Sequence, residues 1–229
     1  MDIREAIRSR RSIRAFTKQP VPRHILEDII ETARWAGSFV NSQPWEFAIL
    51  GGELMAEWKK CLVQQYKEGH EEGEREVYPD VILPEPYILR AEKFRANIDG
   101  LMFPPEDLDV KQKREDYTIS GIQVRDAPNA IIVLTEKQFI KSTLLMISLG
   151  LVIQNICLTA LAHELGTCVM GRPVERPQLI RNMLNIPDSK AIPCVIAIGY
   201  PDWSAQINHI KRERAPLESI TTWWGFHSE

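Results

Sequence analysis

Four arginines lie within seven positions near the start of the chain, in the stretch RSRRSIRAF (residues 8–16): Arg8, Arg10, Arg11 and Arg14. A guanidinium group presents a fork of N–H donors that matches the oxygens of a phosphate. Each such charge-assisted hydrogen bond contributes about 1.5–3 kcal/mol when it is shielded from water, so two or three can hold a phosphomonoester. The alternative is a solvated helix end, whose arginines form surface ion pairs of about 0–1 kcal/mol each.

The sequence contains no other pattern that is typical of a catalytic or metal site. It has no G-x-G-x-x-G, P-loop, G-x-S-x-G or H-E-x-x-H motif, and its five histidines are scattered. The four cysteines are far apart and form no C-x-x-C pair and no zinc-type grouping with histidine. We therefore expect a bound cofactor to supply the chemistry, and we assign no catalytic side chain and no metal ligand.

Composition limits the class of protein and its partners. The chain has 229 residues, 44% of them hydrophobic, which is ample for one globular unit with a real core. Its formal net charge is −3, so the chain has no general basic field for binding nucleic acid, and the arginine cluster is a local feature. The dispersed cysteines and the charged N-terminal stretch predict reduced thiols and a cytoplasmic protein without a signal peptide.

The arginines must be positioned by elements that apolar periodicity predicts. A short helix precedes the cluster, and a second helix begins near Pro22. Strand patterns occur at residues 45–50, in AIIVLTE (130–136) and in AIPCVIAIGYP (191–201). Because helices and strands follow one another without a regular βαβ alternation, the sequence predicts an α+β fold.

Residues 142–164 form a helical pattern that is apolar almost all round. The uncharged part has about the length of a membrane span. It contains four polar residues, however, and runs directly into His163 and Glu164, which favours a central buried helix without a membrane anchor. Such a helix must be covered on every side, either by the sheet and its neighbours or by another subunit. Gly166 is well placed to end it.

The region of about residues 66–126 is the least regular part of the sequence. Residues 67–76 include no apolar side chain, and five prolines follow between positions 79 and 105. This composition predicts a solvated, irregular excursion, either a mobile lid or a surface insertion. We predict a single domain over residues 1–229 that carries this lid-like insertion.

Three patches together resemble the nitroreductase family, whose members are flavoenzymes that bind FMN. The first is RRSIRAF (10–16), followed after a helix by AGSFVNSQPW (36–45), in which Gly37 replaces the proline of the family pattern. The second is ELGTCVMGRP (164–173), followed by LIRNMLNIPDSKAIPCVIAIGYP (179–201). The third is KRERAPLESI (211–220), before the family's C-terminal arm. Their order and spacing identify the chain as a member of the family.

The resemblance implies a nitroreductase-like fold with a central, mostly antiparallel sheet flanked by helices. It also implies a long buried helix, an extended C-terminal arm and an intertwined homodimer. Tightly but non-covalently bound FMN is expected at the subunit interface, with NADH or NADPH as co-substrate. Hydride is expected to pass by a ping-pong mechanism from NAD(P)H to flavin N5, and then to a nitroaromatic, quinone or related small acceptor.

Other functions share the same site residues, and the sequence leaves them open. Relatives with this fold include reductive dehalogenases and other enzymes that modify ring systems. A non-catalytic FMN-binding protein would also keep the pocket.

The family pattern assigns roles to residues at both ends of the chain. Arg10, Arg212 and Arg214 are expected to bind the FMN phosphate. Arg11 and Ser12 are expected to lie along the ribityl chain.

Other residues are expected to surround the flavin ring. Arg14 is expected near the N1 and O2 edge, where a cation stabilises the anionic reduced ring. Ser38 and Asn41 are expected to reach the flavin from the other subunit. The backbone of a turn is expected to lie against the ring near N5, and this turn consists of Val169, Met170 and Gly171.

Overall fold

The computed structural model describes residues 2–69, 82–104, 108–175 and 177–226. In these ranges the chain forms seven α-helices and four β-strands. The helices are α1 (Ile3–Ser9), α2 (Arg23–Ala33), α3 (Gly52–Lys67), α4 (Glu85–Met102), α5 (Val110–Ile122), α6 (Thr143–Ala162) and α7 (Pro177–Leu184). The strands are β1 (Glu46–Leu50), β2 (Asn129–Glu136), β3 (Gly166–Met170) and β4 (Lys190–Gly199).

The strands form one antiparallel sheet in the order β1-β2-β4-β3. The central strands β2 and β4 are rich in valine and isoleucine, and nearly all of their residues are buried. Continuous apolar runs of this kind occur where both faces of a sheet are covered. The antiparallel sheet of an α+β fold, which the sequence predicts, is confirmed.

Helices cover both faces of the sheet. On one face, Ile29 of α2 and Val152 of α6 pack against alternate side chains of β2 and β4. On the other face, α3, α5 and α7 cover the intervening side chains, and the fully buried Trp58 of α3 is the largest residue of this layer. Burial of each large apolar side chain contributes about 1.5–3 kcal/mol, so the two layers fix the sheet that carries the site.

Helix α6 is buried on one side only within the single chain. Leu149 and Ile156 face the sheet and α2, whereas Leu144, Ile147 and Leu151 are 50%, 53% and 47% exposed. Within the described residues, α6 is the one helix that is long and apolar enough to cross a bilayer, a test that core helices of soluble proteins also pass. The sheet and the neighbouring helices of one chain therefore cover only one side of α6. The predicted burial on every side would need a partner on the other.

The prediction of an irregular excursion, which concerns residue 67 to the prolines at 104 and 105 within the region of about residues 66–126, is wrong where helix α4 forms. Helices α4 and α5 occupy much of this region, while residues 70–81 and 105–107 lie outside the described ranges. Pro84 and Pro86 stand at the N-terminus of α4, where proline is tolerated. Because α4 buries no residue fully, no apolar stripe reveals it in the sequence.

Gly166 does not end the long helix, contrary to the sequence prediction. Helix α6 ends at Ala162, and Glu164 turns the chain with a φ of 59°. Gly166 instead begins β3, where a Cβ would lie 2.4 Å from Cγ1 of Ile13. Val169 and Met170 also belong to β3, so the expected turn begins only at Gly171.

Candidate functional site

A cavity of about 550 Å³ lies between the N-terminal arginine segment, the C-terminal segment and α4. This volume is within the range of roughly 300–1,000 Å³ that is typical of cofactor pockets. One acidic side chain, Glu213, lines the cavity together with eight basic ones. Such a concentration of positive charge in a chain of net charge −3 suits a strongly anionic ligand. The basic residues are Arg10, Arg11, Arg14, Arg90, Lys93, Lys211, Arg212 and Arg214.

The N-terminal arginine segment, residues 10–16, runs along the edge of the sheet. The Ile13 N–H donates to the Thr167 carbonyl of β3 at 2.9 Å, and Ser12 forms a parallel bridge with Thr167. Ile13 is 2% exposed in the core. Because successive side chains of an extended segment point to opposite sides, burial of Ile13 turns Ser12 and Arg14 towards the cavity.

Asn208 fastens this segment to the C-terminal part of the chain. Its Oδ1 accepts the backbone N–H groups of Arg14 and Ala15 at 2.8 and 3.2 Å. Its Nδ2 donates to the carbonyls of Ala15 and Asp202, both at 2.8 Å, and its own carbonyl accepts Nη1 of Arg11. The side chain is almost completely buried, so this amide clamp excludes water from the joint.

Arg212 makes a second clamp between the two ends of the chain. Its guanidinium donates to the backbone carbonyls of Arg10, Arg8 and Ser9, the last two at 2.9 and 3.2 Å. Partial burial, together with the positive charges of Arg11, Arg214 and Arg10, lowers the pKa of Arg212. An anion bound among these groups would relieve their repulsion.

Helix α4 supplies one wall of the cavity, which the sequence analysis did not identify. The guanidinium of Arg14 lies 5.4 Å from the centre of the Phe94 ring. Nζ of Lys93 lies 2.6 Å from the Glu213 carboxylate and ties α4 to the C-terminal segment. The spacing of Arg90, Lys93, Phe94 and Asn97 (i, i+3, i+4, i+7) is the signal that indicates one helical face.

Six of the eleven residues expected from the sequence line this cavity. Three of the others, Val169 and Met170 at the end of β3 and Gly171 directly after it, are not part of its wall. Val169 is 45% exposed, whereas Met170 is 8% exposed and packs in the core. The six residues are Arg10, Arg11, Ser12, Arg14, Arg212 and Arg214.

Ser38 and Asn41 do not line the cavity and lie beside α6. Ser38 precedes a 3₁₀ turn that Asn41 ends, and the Phe39 N–H of this turn donates to Ser148 Oγ of α6 at 3.1 Å. Ser38 Oγ in turn accepts the Gln43 N–H at 3.0 Å. Val40 has a φ of 46°, a strained conformation for a β-branched residue, and its side chain is 79% exposed.

The cysteines are free thiols, as the sequence analysis predicts. Burial raises the pKa of Cys157 and Cys168, and it raises the pKa of Cys194 to about 12. These thiols are therefore poor nucleophiles. No group of three or more His, Cys, Asp or Glu side chains within the described ranges is arranged to hold a metal ion.

Two bacterial proteins are similar to this chain in sequence over almost its whole length. Chloronitrobenzene nitroreductase of Comamonas testosteroni is 30% identical over 224 residues, which cover 96% of each chain. YfhC of Bacillus subtilis is 43% identical over 222 residues, covering 96% of this chain and 93% of that protein.

The fold also resembles a solved structure over almost its whole length. The FMN and NADPH-dependent nitroreductase NfnB from Sphigopyxis sp. strain HMH superposes with a TM-score of 0.86 at 26% identity, covering 99% of this chain and 100% of that one. The model of the Nitroreductase family matches residues 7–200. On these grounds, the chain belongs to the Nitroreductase family.

Proposed function

We propose that the protein is an FMN-dependent oxidoreductase that uses NAD(P)H to reduce a nitroaromatic, quinone or related small acceptor. The observation that carries the proposal is the convergence of arginines from both ends of the chain on one cavity. Membership of the family supports the general activity. Relatives named as reductases of chloronitrobenzene and nitrobenzene support a nitroaromatic acceptor.

The residues present fit FMN. The cavity is large enough for a cofactor, and its guanidinium donors suit a phosphomonoester. When bound, a flavin supplies a centre that accepts hydride from one substrate and transfers it to another. The chain therefore needs no acidic or basic side chain of its own for the transfer.

Arg10 and Arg214 are assigned to the phosphate, and Arg14 to the ring edge. Their positive charge would stabilise the phosphate and the negative charge that builds on a reduced ring. Arg212 uses its donors on the carbonyls of residues 8–10, so we assign it to hold Arg10 in place as well as to add to the field. Asn208 holds the backbone of Arg14 in the same way.

Arginine-to-alanine substitutions test the phosphate assignment. We expect R10A and R214A each to raise the Kd for FMN by about tenfold or more, because each loses a charge-assisted contact of about 1.5–3 kcal/mol. FMN uptake would be measured by absorption and fluorescence titration of the apoprotein. R8A is the matched control, because Arg8 belongs to the same cluster but does not line the cavity. Equal affinities in all three variants would contradict the assignment.

The order of the two half-reactions is part of the proposal. Both substrates are expected to use the same face of the cofactor in turn, which gives ping-pong kinetics. Parallel double-reciprocal lines for NAD(P)H at several nitrobenzene or menadione concentrations are the expected result. A protein that binds FMN but shows no turnover with either donor would instead be a non-catalytic flavin-binding protein.

We further propose a homodimer in which α6 forms the interface. Leu144, Ile147 and Leu151 form an exposed apolar stripe on this helix, and exposed apolar faces of this kind mark interaction sites. Ser38 and Asn41 lie beside this helix and away from their own chain's cavity. They are thus available to the cavity of a partner, as the family resemblance implies.

A charge placed in this stripe should separate the subunits. We expect I147E to halve the mass measured by light scattering, because the carboxylate would lose its hydration in an apolar interface. FMN affinity should fall as well, because Ser38 and Asn41 no longer reach the cofactor. L54E is the control, since Leu54 is 40% exposed on α3. An I147E variant that stays dimeric and binds FMN normally would contradict the assignment of α6 to the interface.

The remaining predictions concern the chain as a whole. We propose that residues 1–229 form one domain, in which the insertion at about residues 66–126 supplies the α4 wall of the cavity. The cytoplasmic location stays a prediction from the sequence.

A further inference from the structure

The cavity carries more positive charge than one phosphomonoester requires. A phosphomonoester carries about −1.5 to −2 at neutral pH, whereas eight basic side chains and one acidic side chain line the cavity. A second anionic group is therefore expected to bind near the first. The question is which of the cations remains available for it.

Most of the basic side chains already have partners in the protein. Arg11 and Arg212 donate to backbone carbonyls of the terminal segments. Arg14 and Arg214 also donate to nearby carbonyls, and both are assigned to FMN together with Arg10. Lys93 and Lys211 lie 2.6 and 3.5 Å from the Glu213 carboxylate. These contacts hold the walls of the cavity together and partly neutralise the two lysines.

Arg90 differs from these residues. In the described part of the chain, its guanidinium lies over the ring of Tyr87, whose centre is 5.1 Å from the guanidinium carbon. This contact orders the guanidinium and leaves its N–H donors available to a ligand. Among the residues that the structure describes, no carboxylate pairs with Arg90, which therefore presents a charged fork to the cavity.

The position of Arg90 on α4 separates it from the cations at the arginine segment. Phe94 and Asn97 are half-buried, whereas Arg90 and Lys93 are exposed, so Arg90 lies towards the open side of this wall. At a rise of about 1.5 Å per residue, Arg90 lies about 6 Å along the helix axis from Phe94, the residue that Arg14 contacts. An anion at Arg90 would thus lie apart from the ring edge that is assigned to Arg14.

We propose that Arg90 binds the 2′-phosphate of NADPH and so makes the enzyme prefer NADPH to NADH. This inference rests on the proposed function, because it needs a nicotinamide dinucleotide to bind in the same cavity as FMN. The 2′-phosphate belongs to the adenosine end of NADPH, far from the ring that gives up hydride, which suits a residue on the outer wall. NADH lacks only this phosphate, so the contact discriminates between the two donors.

The substitution R90A tests the proposal, with R95A as its control. Arg95 is exposed on the same helix but does not line the cavity. We expect R90A to lower kcat/KM for NADPH about tenfold and to change kcat/KM for NADH less than about twofold. Calorimetry on the oxidised holoenzyme should show the same loss of affinity for NADP⁺ and none for NAD⁺. R95A should change neither the kcat/KM for NADPH nor the kcat/KM for NADH.

The outcomes separate this inference from the proposed function. Equal losses for NADPH and NADH would mean that Arg90 binds a group common to both, and an increased Kd for FMN would place Arg90 at the cofactor. Either result overturns the inference. An R90A variant that binds FMN normally and keeps the wild-type ratio of kcat/KM for NADPH to kcat/KM for NADH overturns it as well. A wild-type protein that takes up no FMN overturns the proposed function, and this inference with it.

Discussion

N208A is expected to raise the Kd for FMN by about 30-fold and to lower the free energy of unfolding by about 2–4 kcal/mol. Asn208 lines the cavity, but all four hydrogen bonds of its side-chain amide go to the backbone of the chain itself. The effect on FMN therefore arises through Arg14, whose backbone the amide holds. The contact of the Arg11 guanidinium is with the backbone carbonyl of Asn208, which the substitution retains.

The cost of this substitution follows from burial. Asn208 is 1% exposed, so alanine leaves the N–H groups of Arg14 and Ala15 without their acceptor. The two carbonyls that the amide contacts each keep one backbone N–H donor. Each unsatisfied buried group costs about 1–3 kcal/mol, less where water can enter. The arginine segment is then held mainly by its bridge to β3 and by Arg212, and its cations lose their fixed geometry.

Asn129 provides a control that separates stability from positioning. This residue is also buried, at 6% exposure, and its amide joins two distant segments by accepting the Val21 N–H and donating to the Leu50 carbonyl. N129A should lower the melting temperature by a similar amount but leave the Kd for FMN unchanged at a temperature well below both transitions. If both variants lose FMN to the same degree, Asn208 is merely structural.

The sequence predicts those parts of the site that lie in short stretches with a recognisable family pattern. The arginine segment and the tail arginines are predicted by resemblance, and the structure brings Arg10, Arg14 and Arg214 to one cavity. The central strands are equally readable, because their valine and isoleucine runs are continuous.

The parts that the sequence does not predict depend on contacts across long chain separations. Asn208 lies 194 residues from Arg14 and stands in a short 3₁₀ turn without any motif. Helix α4 buries no residue fully, so its period is set by the polar and aromatic residues that face the cavity. From the sequence, Gly166 is compatible with the end of a helix or with a close approach of two backbone segments. Only the position of Ile13 in the structure decides between these two roles.

G166A is expected to disrupt both folding and FMN binding, with a loss of about 2–4 kcal/mol in the free energy of unfolding. An added Cβ would lie 2.4 Å from Cγ1 of Ile13, 2.9 Å from its Cβ and 3.0 Å from Cγ of Pro201. Ile13 cannot give way, because it is buried in the core between Ser12 and Arg14. The backbone of the arginine segment must therefore move away from β3, and the cations move with it.

A double-mutant cycle identifies Ile13 as the cause. I13A removes the 2.4 Å contact but keeps the one at 2.9 Å, so the cost of G166A should fall by about 1 kcal/mol or more in the I13A background without vanishing. G100A is the matched control, because Gly100 lies in α4 with no atom within 4 Å of an added Cβ. There the same substitution should stabilise the helix by about 0.5–1 kcal/mol. Additive costs in the cycle would show that the arginine segment does not depend on the close approach at Gly166.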